Sequence, residues 1–180
     1  HEICAGLNRV YFHTFTCSPA EQGIPGQEYF AGTHVNPRVT WWSKSGPFID
    51  YMHRVQMLAQ EGTFVADVLY YYGDHVPNVY PFKHSDMPGA MFGFDYDVTD
   101  ENILMKLGVE DGDIVVPGGR RYKVLVLPDH RVLSLPVLKK LEMLVKEGAS
   151  VLGPKPQKAV SLSGGEKGGA EFKELADLLW

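Results

Sequence analysis

The sequence predicts an α/β fold built on a mainly parallel sheet, and three observations carry that prediction. Short apolar, β-prone runs without polar alternation recur at Thr63–Asp74 (TFVADVLYYYGD), Tyr122–Pro128 (YKVLVLP) and Ala149–Gly153 (ASVLG), the pattern of strands covered on both faces. Amphipathic helical stretches lie between and beside them. Tyr122 to Gly153 reads as strand, crossover helix and strand, one right-handed βαβ unit. A helical pattern closes at Gly62, so residues 1–62 read as the tail of one unit and residues 63–180 as another, whose first strand is Val65–Tyr72.

Bulk properties narrow the class. With 180 residues, 44% hydrophobic and 12% aromatic, the chain can bury a substantial core. A net charge of -5 and the lack of a Lys/Arg run argue against nucleic acid as a partner. No apolar run approaches the ~20 residues of a membrane helix, and the chain opens on His1 without a basic, apolar leader. His1 and the abrupt end at Trp180 read as the limits of a piece from something longer. Cys4 and Cys17 flank a predicted strand that would hold them roughly 25 Å apart, so they are expected as two free thiols.

Taken in order, Arg9–Thr16 (RVYFHTFT) is β-branched and aromatic and predicts a strand. Cys17–Thr40 has neither period and reads as a long functional loop. Ser43–Glu61 predicts a helix with Phe48, Ile49, Met52, Val55 and Leu58 on its apolar face, Pro47 in its first turn and Gly62 at C′. Residues 75–98 read as irregular. Thr99 is expected to cap a short helix over 100–107, with Asp100 and Glu101 in its first turn. Val109–Pro128 predicts short strands with turns at Asp111-Gly112 and Gly118-Gly119, ending in one buried strand, Tyr122–Leu127. Ser134 caps a helix with apolar stripe Val137, Leu138, Leu141, Leu144 and Val145, stopping at Gly148. Lys140 falls on its opposite face. A last amphipathic helix covers 170–179. Because that helix would normally feed a further strand, an open sheet edge prone to association is expected.

Several features resemble chemistry without supporting it. Leu162-Ser163-Gly164-Gly165-Glu166 imitates the signature loop of transport ATPases, but no GxxxxGK[ST] cradle accompanies it, so it reads as a solvated glycine loop. His13, His34, His53, His75 and His84 show no metal-ligand spacing, and HExxH and CxxC are absent. Tyr70–Tyr72 read as core and sheet edge. Asp95 and Asp97 read as a carboxylate pair capping backbone amides rather than binding a cation. Trp41-Trp42, between the long loop and the helix, offer flat faces suited to apolar sugar faces or to packing.

The ordered series GLNRVYFHTFTCSP, GTHVNPRVTWW, FIDYMHRVQMLAQEGTFVADVLYYYGD, FDYDVTDENIL and YKVLVLP resembles the α-L-rhamnosidase-type glycoside hydrolases across nearly the whole chain. The resemblance is thinnest at 75–92 and 157–170. It implies a last strand, loop and helix of a (β/α)8 catalytic barrel over residues 1–62. An incomplete flavodoxin-like or amidotransferase-like domain with a mainly parallel sheet would fill residues 63–180. Barrel sites lie at the carboxyl ends of strands, which puts His13, Thr14 and the 17–40 loop on the catalytic rim. His13, His34, Trp41 and Trp42 are the expected sugar-binding residues, and the partner is a rhamnose-containing glycan. Inverting glycosidases use two carboxylates roughly 6.5–9.5 Å apart. The family's pair falls before His1, and none of Glu2, Glu21 and Glu28 matches a family catalytic motif, so no catalytic residue is assigned within this chain. No cofactor is expected of these residues; the resemblance allows a calcium ion in a parent enzyme that is secreted or periplasmic. The reading from another class is a self-standing flavodoxin-like binding module. For a flavin, the loop Gly73–Pro77 lacks the Gly/Ser/Thr-rich composition of a phosphate cradle.

Overall fold

The computed structural model describes residues 1–31, 34–78, 93–160 and 165–180. The chain divides into two units, His1–Thr63 and Phe64–Trp180.

In the first unit the principal element is helix α1, Gly46–Glu61, with Pro47 in its first turn. Single 3-10 turns stand at Glu2–Ala5, Ala20–Gln22 and Trp42–Lys44. The strand predicted over 9–16 is not formed: no strand occurs among the described residues of this unit. A strand needs a neighbouring backbone to bond, and here side-chain amides take that place. Gln56 Oε1 accepts the Val10 N–H at 2.6 Å, and Gln60 Nε2 donates to the Asn8 carbonyl at 2.7 Å. The expected apolar face of α1 is also altered. Ile49, Met52 and Val55 are half-buried, while Phe48 and Leu58 are exposed. Gly62 is extended (φ -95°) rather than left-handed, so the helix ends without a glycine cap.

The second unit holds the sheet. Strands β1 (Val68–Tyr71), β2 (Tyr96–Thr99), β6 (Val124–Val126) and β8 (Val151–Leu152) lie in the order β2-β1-β6-β8, all parallel. The three predicted runs therefore stand side by side, as expected. Strand β1 starts three residues later than predicted, with Val65 exposed. Strand β2 begins within the stretch 75–98 read as irregular and ends one residue beyond it, and residues 79–92 of that stretch lie outside the described residues. β3 (Gly108–Glu110), β4 (Asp113–Val115) and β5 (Arg121–Tyr122) form a separate antiparallel sheet. The predicted strand 122–127 is consequently two strands. Tyr122 pairs with Ile114 in the antiparallel sheet, whereas Val124–Val126 pair with β1. A small parallel pair joins β7 (Val132–Leu133) to β9 (Lys158–Ala159).

Local capping explains the helices. α2 (Glu101–Leu104) is capped by Asp100, whose carboxylate accepts the Ile103 N–H at 3.0 Å. Thr99, the expected cap, is instead the buried last residue of β2. α3 (Leu135–Lys146) begins on Ser134, whose hydroxyl accepts the Val137 N–H as expected. It ends in a Schellman pair, Gly148 N–H to Val145 O and Ala149 N–H to Leu144 O, with Gly148 at φ 102°. α4 spans Gly165–Leu179, five residues longer than predicted at its start. Gly165 and Glu166 of the glycine-rich stretch belong to it, and 162–164 lie outside the described residues.

The main core lies on one face of the sheet. Leu69, Tyr71, Leu125 and Leu127 meet Leu104 of α2, Val137, Leu138, Leu141 and Leu144 of α3, and Phe172 and Ala176 of α4. Val145, expected in the stripe, is 41% exposed at its margin. The opposite face carries a small cluster, Val68, Tyr70 and Val126. The described helices place buried residues only on the first face, so the helix-covered second face expected from the sequence is not found among them. Lys140 is not idle either: its Nζ donates to the Leu107 carbonyl at 2.6 Å, tying α3 to the end of the α2 turn.

Candidate functional site

The expected site residues all lie in the first unit, and tight local turns hold them. Asn36 Oδ1 accepts the Arg38 N–H at 2.9 Å, an Asx turn, and Trp42 N–H then bonds the Val39 carbonyl. Ser45 Oγ donates to the Trp42 carbonyl at 2.7 Å. Trp41 and Trp42 are thus fixed at the mouth of α1. The long loop is tied back on itself where Arg38 donates to the Gly23 carbonyl and the Gln27 N–H donates to Ser18 Oγ at 2.8 Å.

Two ring clusters result. In one, His13 meets Tyr29 edge-on with centroids 5.1 Å apart, and Tyr29 leans on Phe30 at 4.5 Å. In the other, Trp42 contacts Phe15 at 6.3 Å and Trp41 at 6.4 Å. His34 joins the first cluster through Glu28, with Nε2 to Oε2 at 3.9 Å. Both predicted histidines therefore converge on Glu28–Phe30, while the tryptophan pair stands with Phe15.

Sequence reasoning did not name Phe15, Glu28, Tyr29 or Phe30. Which loop residues fold back onto His13 is set by the 18–38 ties, and no local pattern announces that.

Chemically, this arrangement offers exposed aromatic faces, Phe30 at 91% and Trp41 at 39%. The same unit carries two imidazoles that can exchange hydrogen bonds with hydroxyl groups, and the Glu28 carboxylate lies 3.9 Å from His34 Nε2. Among the described residues no three His, Cys, Asp or Glu side chains converge as a metal ion would require. The carboxylate pair in the second unit is engaged elsewhere. Asp95 Oδ1 accepts the Tyr96 N–H, and Asp97 Oδ2 accepts the Tyr122 hydroxyl at 2.6 Å. Burial and that bond push the Tyr122 phenol up to about 12. Asp95 thus caps an amide as expected, but Asp97 holds a tyrosine across the sheets. Cys4 and Cys17 are free and exposed. Among the described residues no helix is long and apolar enough to cross a membrane.

Comparison with known proteins agrees with the resemblance. Residues 1–180 match the profile of the family described as alpha-L-rhamnosidase. A protein of Formosa agariphila carrying the name "Putative beta-glucuronidase" is 39% identical over 175 residues, 97% of this chain and 15% of its own length. The solved structure of a rhamnosidase from Novosphingobium sp. PP1Y superposes with a TM-score of 0.69 at 31% identity, covering 83% of this chain and 14% of that one. The chain thus spans about one seventh of the length of either relative. It belongs to the alpha-L-rhamnosidase family of glycoside hydrolases.

Proposed function

We propose that the chain is a segment of a secreted or periplasmic glycoside hydrolase that cleaves α-L-rhamnosyl linkages in glycans, and that His13, His34, Trp41 and Trp42 line its sugar-binding rim. The observation that carries this reading is the match of the whole chain to the family. The convergence of both histidines on Glu28–Phe30, and the paired Trp41 and Trp42, support the assignment of the rim. In this reading residues 1–62 complete a catalytic barrel. Residues 63–180 form a flavodoxin-like domain that follows it in sequence, for which the parallel order second-first-third-fourth is the supporting topology. Hydrolysis proceeds with inversion between two carboxylates supplied by the rest of the parent protein. The rim contributes apolar contact with the ring face and hydrogen bonds to hydroxyls. A 6-deoxy sugar, with its methyl group, suits such an aromatic-rich surface.

The test uses the full-length parent with aryl α-L-rhamnoside and aryl β-D-glucuronide as alternative substrates. Rhamnoside turnover is expected, and His34→Ala or Trp41→Ala should lower kcat/KM at least roughly tenfold, about 1.4 kcal/mol of transition-state binding. Turnover of the glucuronide alone would overturn the substrate. Unchanged kinetics with a lowered melting temperature would assign both side chains to packing.

A further inference from the structure

The second unit brings together two loops distant in sequence. β1 and β6 are neighbours, yet the next strand of this sheet after β1, β2, lies on one side and the next after β6, β8, on the other. The loops leaving their carboxyl ends therefore diverge at the point where strand order reverses. Residues 72–78 leave β1 and residues 127–131 leave β6, and there His75 and His130 stack face to face, centroids 3.5 Å apart and planes 30° apart.

The two loops fit closely at this point. Gly73 has φ +94°, and a Cβ there would lie 2.9 Å from Pro128 Cγ and 3.0 Å from His75 Nδ1. Nδ1 of His75 is buried and has no hydrogen-bond partner among the described residues. Asp74 is engaged elsewhere: it accepts from the Tyr71 hydroxyl and, at 2.7 Å, from the Ser134 N–H. On the other side Asn78 Nδ2 donates to the Tyr72 and Gly73 carbonyls. The first loop is thus pinned to its own strand and to the start of α3, and the imidazole stack is its ring contact with the second loop.

We propose that the His75–His130 stack is an acid-sensitive latch between these loops, closed while the pair carries at most one positive charge and opened when both rings are charged. Two imidazolium rings at this separation repel directly. The ionisable groups around His75 are Tyr71 and Asp74 on its own side, and His130 flanked by Asp129 and Arg131 on the facing loop. Burial foremost, then His130, lowers the pKa of His75 below its ordinary 6.5, and Asp74 offsets this in part. The unfolded or opened state therefore takes up the proton more readily than the closed one. Closure is complete above the ordinary histidine range and weakens as pH falls through it.

The test is made on the full 180-residue chain, wild type and His130→Phe, which keeps a ring in the stack but removes its charge. Two readouts are followed: the ring-proton NMR titration of His75, and amide exchange over 73–78 corrected for its intrinsic pH dependence. In the wild type His75 should titrate below the ordinary range. Exchange should accelerate at least roughly tenfold between about pH 7.5 and pH 5.5. In His130→Phe the His75 midpoint should move upward and the acceleration should shrink to the part that burial of His75 alone causes. His75→Phe, which removes the other partner, should abolish the acceleration. An ordinary midpoint in the wild type with steady exchange, or an acceleration that persists in both variants, would overturn the latch.

Discussion

Arg9–Thr16 in the first unit and Val68–Tyr71 in the second are both β-prone, aromatic-rich runs, yet they meet different fates. Val68–Tyr71 has a parallel neighbour on each side, and its four residues are all buried. Arg9–Thr16 has no strand beside it among the described residues. Its aromatic side chains stand out, Tyr11 at 79% and Phe15 at 64% exposed, and amides from α1 serve its backbone. Buried residues follow the same division. Among the described residues of the first unit they are Val35, Asn36 and Ser45, whereas the second unit buries a cluster running from Ala66 to Ala176. β-propensity measures how well a side chain fits a half-buried pleated surface, and it produces a strand only where a second backbone supplies the ladder.

The contrast can be broken at its strongest point. Leu141 is 1% exposed at the centre of the α3 stripe. Leu141→Ala should lower the stability of the second unit by roughly 2–5 kcal/mol, read as a shift in the denaturant midpoint. A loss of a few tenths would mean that this core does not hold the unit together.

A smaller effect sharpens the role of caps. Asp100→Ala removes the acceptor for the Ile103 N–H and should cost about 1 kcal/mol at neutral pH. The Ile103 N–H, then Asn102, hold the Asp100 carboxyl below its ordinary range. Its contribution is therefore present above the unfolded carboxylate pKa and is lost as pH falls through the folded one. The gap between wild type and Asp100→Ala in denaturation curves should narrow on acidification; a constant gap would contradict this.

The smallest effect belongs to the first unit. Leu58 occupies a position the helical pattern assigns to an apolar face, yet it is 68% exposed. Leu58→Ala should change the stability of this chain by no more than about 0.5 kcal/mol. A loss comparable to that of Leu141→Ala would erase the distinction between the units.

What the sequence determined by itself was local. The span of α3 follows from the Ser134 cap, the apolar spacing and Gly148, all within a few turns of chain. The three parallel runs were legible because each is apolar without alternation. Of the candidate site, the residue types at His13, His34, Trp41 and Trp42 stood out, but their grouping did not. Tyr29 reaches His13 because Arg38 and Ser18 fold the intervening loop. Tertiary structure alone decided that the run 122–127 divides at Lys123 between two sheets, that Tyr96–Thr99 becomes the neighbour of β1, and that His75 meets His130. The reason is physical. A helix satisfies its own backbone within four residues, so its signals are near at hand. A strand, or a ring stacked across two loops, is completed by a partner tens of residues away.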